Sequence, residues 1–308
     1  LFFLGPIVAF IAMYRVLKRG KFSLRISSLG GVIYAMSPVI WNSVNQGRLG
    51  TLVISLLIPS FLSLKPLERD SYSNWRKVYG ITLLAGFIGA FSPILLILWS
   101  LILLTKLAFL LIRRREELLA NRKLSQLIFL NFDLEKRLFA LGSIPLLLNF
   151  PWSASLIFHP TQILLEPGLP LSGGDALNLL IFNPGGESGI PVWIISPMLL
   201  FLLVVLFSNK FDQVGIFATS LLILSLLLSP LHINGHGSTG RFWSGALLVV
   251  VESLILPSAL KVLVEVLPNL RDSKLGLGHF VSIFIALVTS FSLIGTSTWA
   301  ITSGANSL

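Results

Sequence analysis

Apolar runs of about twenty residues recur along the whole of this chain, and short connectors hold nearly all of its charge. A run of that length matches the hydrocarbon thickness of a bilayer when helical. The 308 residues are 54% hydrophobic and only 12% charged, with a mean hydropathy of +0.87. Soluble domains carry about 25% charged residues. One soluble core of this size has no room for so much apolar surface. The expected fold is therefore all-α, a polytopic membrane helix bundle of about ten spans.

The spans are expected near residues 1–17, 26–41, 49–64, 138–158, 190–207, 215–231, 243–264 and 280–301, with two more in 78–112. The run 78–112 is too long for one crossing, and Gly86, Gly89 and Ser92-Pro93 break it near the middle. Ser37-Pro38 interrupts the second span, and Pro145 and Pro151 lie inside the sixth. Residues 113–137 alternate charge with Leu, Ile and Phe at helical spacing, which fits a cytoplasmic amphipathic surface helix or a solvated connector. The stretch 158–189 is expected to be a structured, non-helical loop, since Pro160, Pro167, Pro170 and Pro184 stand among several glycines.

The net charge of +10 does not point to nucleic acid, because the basic residues sit in connectors. With ten spans, every Lys and Arg except Arg48 and Arg241 falls on one side of the membrane. The positive-inside rule makes that side cytoplasmic in a multi-pass plasma-membrane protein. Both ends of the chain, the loop 158–189 and the loop 232–241 then face outward. The chain opens at Leu1 inside an apolar run without a basic leader, so it reads as one transmembrane domain cut from a longer protein rather than as a signal peptide. It has no cysteine, which excludes disulfides and thiolate metal sites.

Candidate binding residues follow from that topology. Arg48 and Arg241, the two outward cations, each sit in a glycine-rich turn at the start of a span. An arginine at headgroup depth suits a phosphate bidentately, or anchors to ordinary lipid. His159 and Glu166 are the main polar groups of the outward loop. Asp175 and Glu187 are weaker candidates there, as general bases or as ligands of a divalent cation, the one cofactor the loop carboxylates allow. His232 and His236 are four apart, but their glycines make a flexible substrate loop or a plain connector a better reading than a metal site. Glu252 lies mid-span, where an acid is a functional candidate, for proton coupling or for pairing with a neighbouring helix. No metal site is assigned.

Several stretches carry a family resemblance: Leu4-Gly5-Pro6, Tyr34-Ala35-Met36-Ser37-Pro38, Gly47-Arg48-Leu49-Gly50-Thr51, Phe150-Pro151-Trp152-Ser153, His159-Pro160 and residues 179–186, LLIFNPGG. Together they resemble the polytopic C-terminal region of actinobacterial family-2 glycosyltransferase-like proteins, and more loosely the GT-C and YfhO-like membrane proteins. The resemblance implies a GT-C-like bundle that uses a polyprenyl-phosphate-linked sugar or glycan at the outer face, with membrane lipids as its other partners. It also implies a catalytic acid in the first outward loop, yet residues 42–48 contain none. On this resemblance the acid lies upstream of Leu1 or has been lost, and no catalytic residue is assigned. A transporter or flippase of an envelope glycolipid and a non-catalytic assembly subunit are the competing readings.

Overall fold

Proline sets the joints of this fold, and side-chain donors repair the hydrogen bonds that proline removes. The structure is a computed structural model and describes residues 4–66, 74–121, 133–166, 173–186, 190–191, 194, 196–208, 213–235, 238–271 and 276–306. The chain forms two compact units, one of residues 1–63 with 165–308 and one of residues 64–164.

The first unit begins with α1 (Gly5–Arg19), which has Pro6 in its first turn and Lys18 and Arg19 in its last. Proline costs nothing there, and cations complement the C-terminal dipole. α2 (Leu24–Ala35) is capped by Ser23, whose side chain accepts from Ile26 N–H. Ser37-Pro38 then bends the chain by 44° into α3 (Pro38–Asn45). Gly47, at φ +65°, makes the turn into α4 (Leu49–Ser63). Pro59 inside α4 has no N–H for the Ser55 carbonyl. The Tyr34 hydroxyl on α2 donates to that carbonyl at 2.8 Å.

The second unit repeats the device. α5 (Trp75–Phe91) and α6 (Pro93–Asn121) are separated at Ser92, where the sequence places the turn. α7 (Asp133–Leu148) contains Pro145, which cannot serve the Leu141 carbonyl. The indole N–H of Trp99 on α6 donates to it at 3.0 Å. At Pro151 the chain turns through 94° into the short α8 (Trp152–Phe158). Asn149 Nδ2 braces that corner, donating to the carbonyls of Pro145 (2.8 Å) and Gly86 (3.0 Å). Arg114 pairs with Glu135 and joins α6 to α7. A 3-10 turn, Pro160–Leu164, closes the unit.

The first unit resumes with α9 (Ala176–Leu180), α10 (Met198–Phe207) and α11 (Gln213–Leu228). A hairpin of β1 (His232–Gly235) and β2 (Ser238–Arg241) follows, with His232 paired to Arg241. The last helices are α12 (Gly245–Arg271) and α13 (Leu277–Asn306). α12 is the core helix, packed by α2, α3, α4, α10 and α11. Of its most apolar window 61% is buried, against 28% for α13, which fits a mostly apolar helix with neighbours on several sides. α13 instead exposes Phe280, Leu287, Ile294 and Ile301, seven residues apart along one face. Such a stripe suits hydrocarbon rather than water.

The protein is thus all-α apart from one hairpin. Among the described residues, three helices (93–116, 245–265 and 278–302) are long and apolar enough to cross a membrane, or up to five if each bent pair counts as one span. These apolar helices suggest a membrane protein. The count of ten is not reached, because α4 and α11 are short and the expected seventh span is helical only over the ten residues of α10. Three further expectations are corrected. Residues 113–121 continue α6 rather than starting a separate surface helix. The central loop is partly helical, through the 3-10 turn and α9. The segment around His232 is a hairpin held by cross-strand bonding, an ordered connector rather than a flexible loop.

Two backbone approaches fix the 173–186 segment. Gly173 N–H donates to the Arg241 carbonyl (3.1 Å) and Gly174 N–H to that of Pro184 (2.7 Å). A Cβ on Gly173 would lie 1.7 Å from the Phe242 carbonyl oxygen, whereas one on Gly80 of α5 meets nothing within 4 Å. Gly173→Ala is expected to lower the thermal midpoint of detergent-purified protein sharply, and Gly80→Ala to hold or raise it, since alanine favours the helix by up to about 1 kcal/mol over glycine. Wild-type melting of Gly173→Ala, followed by tryptophan fluorescence, would contradict this packing.

Candidate functional site

The turn between α3 and α4 places Arg48 where it cannot remain solvated. Its N–H is held by the Ser43 carbonyl at 2.8 Å, and the residue is only 2% exposed. The guanidinium lies 4.3 Å from the centre of the Trp243 ring. Its Nη1 donates to Glu166 Oε2 at 2.9 Å. The other carboxylate oxygen of Glu166 accepts from Thr51 N–H (2.9 Å) and Thr51 Oγ1 (3.0 Å). The Thr51 hydroxyl in turn accepts from Trp243 Nε1 at 2.9 Å. Gly245 makes room for this, since a Cβ there would lie 2.4 Å from Trp243 Nε1.

Four residues from three distant parts of the chain thus close one buried polar ring. Thr51 lies in the first turn of α4, where backbone N–H groups lack helical partners and the dipole favours an anion. Glu166 is the anion. An arginine fork, a helix N-terminal N–H and a hydroxyl directed at one oxyanion form a donor set equally suited to carboxylate and phosphate.

A second polar knot lies beside it in the same unit. Asn42 Nδ2 donates to Asn183 Oδ1, and Asn42 Oδ1 accepts from Ile190 N–H at 3.0 Å. Asn183 also donates to the Ile190 carbonyl (2.8 Å) and accepts from Gly185 N–H (3.0 Å). This knot ties the LLIFNPGG segment to α3. Deeper along α12, Glu252 is fully buried, and neither carboxyl oxygen makes a hydrogen bond. Ser37 and Tyr34 are close enough to interact with it. Tyr34 Oη is 3.2 Å from Ser253 Oγ.

Of the residues singled out from sequence, the structure joins Arg48 with Glu166 directly. Arg241 is exposed on β2, with its carbonyl engaged by Gly173. His232 is exposed, its Nδ1 3.1 Å from the Pro230 carbonyl. Asp175 caps α9, accepting from Asn178 N–H at 3.0 Å, which gives that acid a structural task. His159 is exposed at the end of α8, in the second unit. Glu187 and His236 lie outside the described residues. Among the described residues, no group of three or more His, Asp or Glu is arranged to hold a metal ion.

Sequence reasoning missed Thr51, Trp243, Asn42 and Asn183 as contributors. Thr51 stood inside a quoted motif, and Trp243 follows Arg241 by two residues, but only the fold brings them together. No family model, curated protein or solved structure matches the chain.

The pair Arg48–Glu166 is buried on both sides, at 2% and 9% side-chain exposure. Removing one partner leaves the other charge uncompensated, so Arg48→Ala and Glu166→Ala are each expected to cost about 3–5 kcal/mol. The double variant should cost clearly less than the sum, which chemical denaturation of the four proteins in detergent measures. Additive losses would show that the pair is not coupled.

Proposed function

We propose that this chain is the membrane region of a cell-envelope glycosyltransferase that binds a polyprenyl-phosphate-linked sugar or glycan at its outer face. In this reading the apolar segments between α1 and α13 act as ten spans of a GT-C-like bundle, with the shorter and bent helices crossing where the bilayer is thinned or shared with neighbours. Both chain ends, the Arg48 turn and the hairpin then lie on the outer side, as the distribution of lysine and arginine requires.

One observation carries the reading: Arg48, Thr51 N–H and Thr51 Oγ1 converge on a single oxyanion. A lipid-linked phosphate entering at headgroup depth would take that position, with Glu166 as the resident anion it displaces. Arg241, exposed one strand away in sequence, would meet the same ligand. No residue is assigned a catalytic role. A transporter or flippase is the second reading, and the buried carboxyl of Glu252 favours it.

The test is binding of a polyprenyl phosphate against the uncharged polyprenol of equal length, read by native mass spectrometry. Arg48→Ala is expected to weaken phosphate binding about tenfold or more, the ~1.4 kcal/mol scale of one lost charge-assisted bond. Arg241→Ala is expected to weaken it less. Glu166→Gln removes the competing charge but keeps the shape, and should strengthen it. Unchanged binding in both arginine variants, or equal affinity for phosphate and alcohol, would sink the proposal.

A further inference from the structure

Among the described residues, no cation is placed to pair with Glu252. It lies on the most enclosed helix of the first unit, fully buried, with both carboxyl oxygens unbonded. The helices packed on α12 are α2, α3, α4, α10 and α11. Of these, α3, α4, α10 and α11 contain no ionisable side chain at all. α2 contributes Tyr34 and Arg25, and Arg25 is exposed nine residues from Tyr34, about 13 Å along the helix. On α12 itself, Lys261 is exposed and lies a similar distance from Glu252. Leu17 of α1 also reaches toward Leu260 across Gly30, but Arg15, Lys18 and Arg19 of α1 are exposed.

A few hydroxyl groups stand close to Glu252 within otherwise apolar surroundings. Ser253 follows it in sequence and lies 3.2 Å from the Tyr34 hydroxyl, and Ser37 caps α3, which packs on α12 beside α2. A lone carboxylate buried in apolar surroundings is too costly to persist without a neutralising partner. The described protein offers none, so the partner comes from solution.

We propose that Glu252, with Ser37, Tyr34 and Ser253, is a binding site for a small monovalent cation, either a proton or a sodium ion. This inference does not depend on the phosphate reading, since it uses none of the same residues. Hard oxygen ligands and the absence of nitrogen or sulfur donors exclude soft metals as the intended occupant.

Infrared difference spectroscopy of the purified protein in lipid vesicles tests it. The bands of Glu252 are identified by their loss in Glu252→Gln, with Glu252→Asp as the second variant if the amide fails to fold. A proton site is expected to convert between the carboxylic acid and carboxylate stretches as pH is changed, in sodium chloride and choline chloride alike. A sodium site is expected to show that conversion, or a carboxylate shift, on replacing choline with sodium at fixed pH. Tyr34→Phe should move the response without abolishing it. A Glu252 band that answers to neither pH nor sodium overturns the proposal.

Discussion

In apolar surroundings a backbone carbonyl that loses its helical N–H must find another donor within the protein, and this constraint shapes both units. Pro59 releases the Ser55 carbonyl and Tyr34 takes it; Pro145 releases that of Leu141 and Trp99 takes it. In each case an aromatic side chain supplies the donor at one end and apolar area at the rest. A proline thus serves as a locking point between helices, since the freed carbonyl can be satisfied only by a neighbour in the right register.

The same economy governs the charges. The ion pair at the start of α4 is well attended: Glu166 receives three donors, and Arg48 lies against a tryptophan face, with its Nε the one buried atom of the pair left without a hydrogen bond among the described residues. Breaking such a pair costs more than the pair contributes, so its presence is weak evidence of stability and stronger evidence of a defined geometry. Glu252 is the opposite case, buried without a counter-charge. The protein keeps both arrangements in one unit, and the contrast separates an acid that organises structure from one that awaits a ligand.

Much of the architecture was legible because proline and glycine mark breaks locally. The joints at Ser37-Pro38 and Ser92-Pro93 are where the sequence places them, whereas the corner at Pro151 falls inside what the sequence reads as one span. The hairpin was not legible, because four-residue strands with glycines at their ends carry no alternating pattern to detect. At the expected seventh span the described helix is α10, Met198–Phe207, with Pro197 at its cap, which is shorter than the apolar run suggested. Arg48 and Glu166 were each visible as exceptional residues. Their partnership was not, since 118 residues separate them and no local spacing encodes a contact of that range. Thr51 and Asn183 were hidden for a different reason: a single polar residue in an apolar run looks the same whether it faces a partner or a lipid.

The two nodes share a helix. Thr51 holds Glu166 and Trp243 at the first turn of α4, and Ser55, one turn further, holds Tyr34 through its carbonyl. Tyr34 then touches Ser253, next to Glu252. Four residues of α-helix rise only about 6 Å, and a single turn of helix does not bend independently at its two ends. Displacing Glu166 from the α4 terminus and neutralising Glu252 therefore act on one rigid element from opposite sides. Whatever enters at the Arg48 turn, the element that would register it is α4, and the first buried group beyond it is the Tyr34 hydroxyl.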